Sequence, residues 1–368
     1  MDHDIRSLYL HLPFCERICA YCDFPKVLTH SLSQEAYFRA LFNEISTIHI
    51  PDDSLKTIYI GGGTPTESKT PLLAELLSYL RLHFPSVKEF TVEANPESLT
   101  SEKIRLCQEY GVNRISLGAQ SADDDMLKRL NRNHSVKDIQ DAVNRLQENG
   151  FENYSLDFIY GLPSMTIQDL DRDLDFAFSL FPKHLSFYAL QIEEGTLFGV
   201  KKTKAESDDM MALEYQHLLS RLEERGFLRY EVSNFAKPGY ESLHNLTYWH
   251  DEPYYACGLG AASYANHVRK INTKSITDYI QCKNNYTSDK ISKNMEEFEF
   301  LMLNLRLVKG FSLSEFEARF HHPFLSGYFD RIGSVKDKVE ISDGCFRIKK
   351  EYLYIMDSIL LDLLPDPD

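Results

Sequence analysis

The chain has 368 residues, 43% of them hydrophobic and 12% aromatic, which is enough for one large domain and a smaller one with real cores. Asp and Glu number 55 against 40 Lys and Arg, and the net charge of -15 argues against nucleic acid held on a broad basic face. The 7 cysteines do not form a secreted disulfide framework: three are clustered, while Cys107, Cys257, Cys282 and Cys345 are isolated, which suits a reducing compartment. Met1-Asp2-His3-Asp4 lacks the pattern of a signal peptide, and no apolar run is long enough to span a bilayer. A cytoplasmic protein is expected.

The first strand candidate, Ser7–Leu12, leads into Cys15-Glu16-Arg17-Ile18-Cys19-Ala20-Tyr21-Cys22. Three thiolates on one short loop can hold three irons of a cubane cluster and leave the fourth open, because no fourth Cys is near. On spacing alone, a zinc site completed by His11 and a chance group of buried thiols stay open as alternatives. A helix is expected over Ser33–Ile48 and a strand over Lys56–Ile60. Gly61-Gly62-Gly63-Thr64-Pro65 follows, where glycines let backbone approach the charged end of a small molecule; the alternative is a tight turn. It is neither a Walker loop nor a dinucleotide fingerprint. After a helix over Pro71–His83, the strand Glu89–Ala94 ends on Glu93-Ala94-Asn95-Pro96, with Glu93 either a site acid or an exposed loop acid.

A helix over Ser101–Tyr110 opens at Thr100 and closes at Gly111. The next strand, Arg114–Gly118, is followed by Gln120, a candidate for a ribose or carboxylate or a turn-stabilising amide. Arg132 is a candidate carboxylate clamp, or a surface charge. The helix Val136–Asn149 has Ser135 as its cap and Gly150 at its end. In the strand Tyr154–Tyr160, Asp157 is costly to bury without a partner or ligand. A helix over Ile167–Phe181 and a strand over Leu185–Gln191 complete six βα units, which imply a parallel sheet. The strands read as continuous hydrophobic runs, as strands buried on both faces do. A partial barrel is favoured over a doubly wound sheet, with ligands at the C-terminal ends of its strands. The thiol loop, the glycine loop and the polar strand ends then outline one shared site.

Beyond Lys204 the rhythm fades into a helix over Asp208–Arg225 and then Tyr230–Phe235. His244-Asn245-Leu246-Thr247-Tyr248-Trp249 carries the single Trp. It can line a pocket for a flat apolar cofactor, with His244 as a haem axial ligand, or it can be a domain-interface cluster with His244 hydrogen-bonded. The polar stretch Cys282–Lys293, with Asn284-Asn285, reads as a linker or exposed loop. From Met295 the chain is mostly helical, with a strand pair near Val339–Ile348, and His321-His322 reads as a helix end. The expected divisions are 1–225, 226–290 and 291–368.

Cys15, Cys19 and Cys22, with Gly61-Gly62-Gly63-Thr64-Pro65, resemble the radical S-adenosylmethionine (radical SAM) superfamily. Within it the chain is similar to the group of oxygen-independent coproporphyrinogen III dehydrogenases (HemN) and HemW-type haem chaperones. The resemblance runs from Leu8 to Asn272, with a weaker continuation at Leu303-Asn304-Leu305-Arg306-Leu307. It implies an α/β fold: a partial (βα)6 radical SAM barrel followed by a smaller, mainly helical C-terminal domain. It also implies a [4Fe–4S] cluster whose open iron is chelated by S-adenosylmethionine. By motif, Tyr9 and Tyr21 would lie beside the cluster and nucleoside, and Gly62, Gly63 and Thr64 would meet the methionine end. Glu93, Gln120, Arg132 and Asp157 match polar ligand-contacting positions. Gln191 matches less closely, because its residue type differs. No catalytic residue is assigned.

Two departures bear on the subgroup. The dehydrogenase pattern has a further Cys where Cys22-Asp23-Phe24 places Phe24. The segments His244–Trp249, Glu231-Val232-Ser233-Asn234-Phe235-Ala236 and Gly258-Leu259-Gly260-Ala261 resemble the chaperone group. The chain also starts close to its first strand, without the dehydrogenase's longer leader. The implied role is to bind haem as cargo and deliver it to acceptor proteins, including membrane-associated ones. An electron donor is needed if the cluster is reduced. The rival reading is radical oxidative decarboxylation of coproporphyrinogen III, which leaves enzymatic status open; a zinc-stabilised binding protein is a distant third.

Overall fold

The computed structural model describes residues 5–31, 33–283 and 285–364, so the expectations for Met1–Asp4 and for Asn284 lie outside it. Nine strands form the main sheet. Six are its parallel centre: β1 (Ser7–Leu12), β2 (Thr57–Gly62), β3 (Glu89–Ala94), β4 (Arg114–Gln120), β5 (Tyr154–Tyr160) and β6 (His184–Ala189). Short strands β7 (Leu228–Arg229) and β8 (Asn234–Ala236) add antiparallel pairing beyond β6, and β9 (Tyr255–Cys257) lies parallel to β1 at the other edge. The six central strands are neighbours in sequence order with no reversal. That is the progression of a barrel, whereas a doubly wound sheet turns back at a switch point. Among the described residues the two edges do not pair, so the sheet stays open as a partial barrel.

Five helices alternate with these strands: α1 (Gln34–Ile48), α2 (Thr70–His83), α3 (Ser101–Glu109), α4 (Val136–Glu148) and α5 (Ile167–Ser179). Their starts are written locally. Ser33, Thr100, Ser135 and Thr166 each accept a backbone N–H of the first turn, and Ser135 with Asp138 and Thr166 with Asp169 form reciprocal capping boxes. Each such cap contributes about 1 kcal/mol. One short helix, Asp124–Arg129, was not expected; it is capped by Asp123 and too short to show a helical period.

The expectation of continuous hydrophobic strands is corrected. Leu8, Leu10, Leu12, Ile58, Ile60, Val92, Leu117, Leu156 and Phe187 are fully buried, and the residues between them point to the opposite face with the strand period of two. Those alternate positions hold Ser7, Tyr9, His11, Thr57, Tyr59, Thr91, Glu93, Ser116, Ser155, Asp157, Ser186 and Tyr188. Hydrogen bonds join them across strands, as from Ser116 to Asp157 and from Tyr59 to Glu93. The concave face is therefore polar, and the strands looked continuous because tyrosine and threonine favour strands as well.

The stretch Cys282–Lys293 is also corrected. Tyr286–Lys290 is a strand on Val268–Asn272, which pairs in turn with Ala262–Ala265. All five of its side chains are exposed, so backbone pairing alone defines it and no hydrophobic alternation marks it. The described residues hold two hydrophobic cores. One fills the space between barrel and helices; its buried residues run to Tyr279, and Tyr354 packs against it. The other gathers Phe300, Phe311, Phe316, Phe324 and Phe346 with the last helix, Met356–Leu363. The expected strand pair near Val339–Ile348 is present as Val339–Ser342 and Cys345–Ile348, and His321 ends its helix.

Candidate functional site

The cysteine loop leaves the C-terminal end of β1. A two-residue parallel ladder, Phe14–Cys15 with Val27–Leu28, closes its base. Distant groups then fix its shape: Ala20 N donates to Leu130 O at 2.9 Å, Asn131 Nδ2 to Ile18 O at 2.7 Å, and Phe198 N to Ala20 O at 2.9 Å. Lys26 Nζ donates to Cys22 O at 2.6 Å. His11 Nε2 donates to Pro25 O at 2.7 Å, so its Nδ1 is the acceptor for Tyr9 Oη at 3.0 Å. With both nitrogens engaged, His11 is not placed to complete a zinc site.

All seven cysteines are free; Cys15 is buried, and Cys19 and Cys22 are half-buried. Burial, then the neighbouring Cys19 and Cys22, pushes the Cys15 thiol up to about 12. Burial raises Cys22 as well, against the opposing charge of Lys26. Buried thiols such as Cys15 and Cys22 lose their protons readily only to a cation, which is the behaviour of metal ligands. Arg132 supports that assignment: its Nη1 donates to Cys19 Sγ at 3.2 Å, and its Nε is buried with no partner among the described residues. A permanent charge at this place suits sulfur that carries negative charge when metal is bound. The residues therefore fit an iron–sulfur cluster.

The amides of the glycine loop are engaged within the protein. Gly62 N donates to Glu93 Oε2 at 3.0 Å, Gly63 N to Leu12 O at 2.9 Å and Thr64 N to Phe14 O at 2.8 Å. Its amides are thus taken up in holding β3 and the cysteine loop. Gly63 has no room for a side chain, since a Cβ there would lie 2.6 Å from the Pro13 carbonyl carbon.

Glu93 is not an exposed loop acid. It accepts from Tyr59 Oη at 2.8 Å as well as from Gly62, and burial raises its carboxyl to about 7. Arg132 is not a surface charge either; its Nη2 donates to Asn95 Oδ1 at 2.7 Å and to Gly118 O at 3.1 Å. Asn95 Nδ2 donates in turn to Thr64 Oγ1 at 2.9 Å. Asn95 thus ties the glycine loop to the arginine that holds Cys19, a role missed from sequence although Asn-Pro at a strand end marks the position. Gln120 joins the same cluster, because a Cβ at Gly118 would meet Gln120 Nε2 at 2.7 Å and Arg132 Nη2 at 3.2 Å.

Asp157 has partners rather than a cation in contact: Ser116 Oγ donates at 2.7 Å and Ser155 Oγ at 3.0 Å, and burial raises its carboxyl. Tyr21 lies against Cys19 and Arg132, its phenol pushed up mainly by burial. Gln191 is exposed, two residues past β6, and takes no part in this network.

His244 lies at the other end of the barrel. Its helix, α7 (Leu243–Trp249 once the long helix α6, Asp208–Glu224, is counted), starts on Glu89, the first residue of β3. Glu89 accepts from Ser242 Oγ at 3.2 Å, Leu243 N at 2.9 Å and His244 N at 2.8 Å. Thr57 Oγ1 donates to Ser7 Oγ at 2.9 Å, so it accepts from His244 Nδ1 at 2.8 Å. His244 Nε2 is left to accept from Tyr248 Oη at 2.8 Å. His244 is 1% exposed, and burial pushes it down to about 3. Neither nitrogen is free for iron in this geometry, which matches the hydrogen-bonded interface histidine rather than the axial ligand.

A model of the radical SAM superfamily matches residues 9–177. Over most of its length the chain is similar to heme chaperone HemW of Bacillus subtilis (strain 168), 39% identical over 91% of this chain and 92% of the relative. It is 37% identical to heme chaperone HemW of Lactococcus lactis, over 89% of this chain and 88% of the relative. Coproporphyrinogen III oxidase (HemN) from Escherichia coli, a radical SAM enzyme, shares the fold with a TM-score of 0.84 at 21% identity, across 99% of this chain and 91% of that one. The three-thiol loop, the sequential parallel sheet and this near full-length likeness agree: the chain belongs to the radical SAM superfamily and, within it, to the HemW family.

Proposed function

We propose that the protein is a haem chaperone that binds haem and passes it to acceptor proteins, and that Cys15, Cys19 and Cys22 carry a [4Fe–4S] cluster with S-adenosylmethionine beside it. The observation that supports this most is the near full-length likeness to relatives named heme chaperone HemW, in a chain that keeps the three thiols together under Arg132. When bound, the cluster supplies an iron without a protein ligand and a one-electron couple.

The chain's own residues do the rest. Arg132 holds Cys19 and shields its sulfur charge. Asn95 keeps Arg132 and Thr64 in one arrangement. Gly62, Gly63 and Thr64 of the glycine loop would hold the methionine end of S-adenosylmethionine. Glu93, Gln120 and Asp157, with Tyr9, line the polar concave face on which the nucleoside would rest; Tyr21 would meet it from the cysteine loop, and Gln191 would reach it only by moving. Phe24, 62% exposed, stands where the dehydrogenase pattern has a further Cys, and it offers an apolar surface rather than a thiol.

Haem then enters as cargo, acceptor proteins at a membrane are the destination, and an electron donor serves the cluster when it is reduced. Among the described residues no helix is long and apolar enough to cross a membrane. The second core supports a C-terminal domain from about 291; the segment 226–290 contributes β7 to β9 to the main sheet.

Anaerobic reconstitution should give iron and sulfide near about four each per chain, and zinc alone would remove the cluster. Haem titration should show saturable binding. Incubation with coproporphyrinogen III, S-adenosylmethionine and reductant should yield no protoporphyrinogen; turnover to that product would replace the chaperone reading with the dehydrogenase one.

A further inference from the structure

A column of aromatic rings runs through the barrel from beneath the cysteine loop to its floor. Tyr9 and Tyr59 stack with centroids 6.1 Å apart, Tyr59 and His244 stack at 5.2 Å, and His244 meets Tyr248 edge-on at 5.1 Å. Tyr254 continues the column at 4.7 Å from Tyr248. Packing alone would account for rings in a barrel. It does not account for the hydrogen bonds, because each of the first three tyrosines donates its phenolic proton to a base of its own. Tyr9 donates to His11 Nδ1 at 3.0 Å, Tyr59 to Glu93 Oε1 at 2.8 Å, and Tyr248 to His244 Nε2 at 2.8 Å. The proton directions follow from the other bonds of each base: Pro25 O takes the His11 Nε2 proton, and Thr57 Oγ1 takes the His244 Nδ1 proton.

A phenol gives up an electron most readily when its proton can leave at the same time to a hydrogen-bonded base. We infer that Tyr9, Tyr59 and Tyr248, with His244 as the ring between the last two, form a relay for one-electron oxidising equivalents, from the cysteine loop to the barrel floor. The oxidant is an outer-sphere one-electron acceptor at the loop. In the first step Tyr9 loses one electron to that acceptor and its proton to His11, leaving a neutral phenoxyl. In the second, one electron passes from Tyr59 to the Tyr9 phenoxyl; His11 returns its proton to Tyr9, and Tyr59 gives its own to Glu93, which is the carboxylate above pH about 7. The third repeats this from Tyr248 to Tyr59 across the His244 ring, with His244 Nε2 taking the proton. Each hop conserves electrons and protons, and no proton crosses more than its own hydrogen bond. The relay would draw damaging oxidising equivalents away from the thiols. It rests on the column's geometry and stands whether or not haem is the cargo.

The test places an oxidant at one end and a label at the other. A ruthenium polypyridyl photosensitiser is coupled to Phe24→Cys in the cluster-loaded full chain, with Cys282→Ser and Cys345→Ser to direct the coupling. Tyr248 is replaced by 3-fluorotyrosine, whose phenoxyl carries fluorine splitting in its electron paramagnetic resonance spectrum. After a flash with a sacrificial quencher, the fluorine-split signal should appear. Tyr59→Phe, which keeps the ring and removes the O–H, should abolish that signal while an unsplit phenoxyl remains at the near end. If Tyr59→Phe does not fold, Glu93→Gln serves instead and should weaken the split signal by removing the proton acceptor. A split signal of undiminished strength in the severing variant overturns the relay. So does its absence from the parent protein.

Discussion

At the scale of single residues, the site is governed by what Arg132 and Glu93 touch. Arg132 is 8% exposed and holds Cys19 Sγ, Asn95 and the Gly118 carbonyl at once. Arg132→Met should leave Asn95 Oδ1 and a charged sulfur without their donor. Cluster loss to a chelator should then speed by about tenfold or more, since a charge-assisted bond is worth about 1.5–3 kcal/mol; an unchanged rate of iron release would show that Cys19 does not depend on it. Glu93 makes a statement about pH. Its carboxyl moves from 4.5 to about 7 on folding, so the folded state favours the protonated form. Its contribution to stability is present below about 4.5 and is lost as pH rises through about 7. His244 has the opposite sign: lowered from 6.5 to about 3, it contributes stability above 6.5 that is lost as pH falls toward 3. Melting temperatures across this range should therefore fall on both sides. Glu93→Gln should flatten the alkaline limb and leave the acid limb in place, a difference that thermal melts of the two proteins would reveal.

At the scale of elements, helix starts and strand identities were open to sequence reading because their causes lie within a few residues. The Ser135 and Thr166 capping boxes are local hydrogen bonds between residues three apart. Tyr286–Lys290 escaped because nothing in five exposed side chains distinguishes an edge strand from a loop. Helix α7 is an intermediate case. Ser242 caps it locally, but its N-terminus rests on Glu89, far away in sequence, where a carboxylate meets two backbone N–H groups and the positive end of the helix. Glu89→Ala should strand both amides, that of His244 at a buried position, and destabilise the protein by about 2–3 kcal/mol, read from urea midpoints at constant m. A change within about 0.5 kcal/mol would mean that α7 is held by packing alone.

At the scale of the molecule, α7 joins the barrel to the second core. Its residues bond Ser7, Thr57 and Glu89 at the N-terminal ends of β1 to β3. Directly after it, His250 meets Asn304 at 3.3 Å and Asp251 pairs with Arg319 Nη2 at 2.6 Å. Asp251 is 4% exposed, and burial raises it to about 6 even with Arg319 beside it. Arg319→Met should leave a buried carboxylate unpaired. Stability should fall by about 3 kcal/mol or more above pH about 6, and by less below it, where Asp251 takes up a proton. Equal losses on both sides of that pH would place the effect in lost packing over Phe300 and Phe320.

The residue order alone carried the C-x3-C-x2-C spacing, the glycine run, the six βα units and the helix caps, because each is set by neighbours along the chain. It could not carry what depends on strand register. Which face Asp157 and Glu93 turn toward, that Arg132 reaches a sulfur 113 positions away, and that Asn95 bridges it to Thr64 all follow from how far each strand slides past the next. His244 shows the difference most plainly. Its signature left a haem ligand and a hydrogen-bonded interface residue both open, and the fold set its ring between Thr57 and Tyr248 at the barrel floor, since a buried imidazole is stable there only with both nitrogens satisfied.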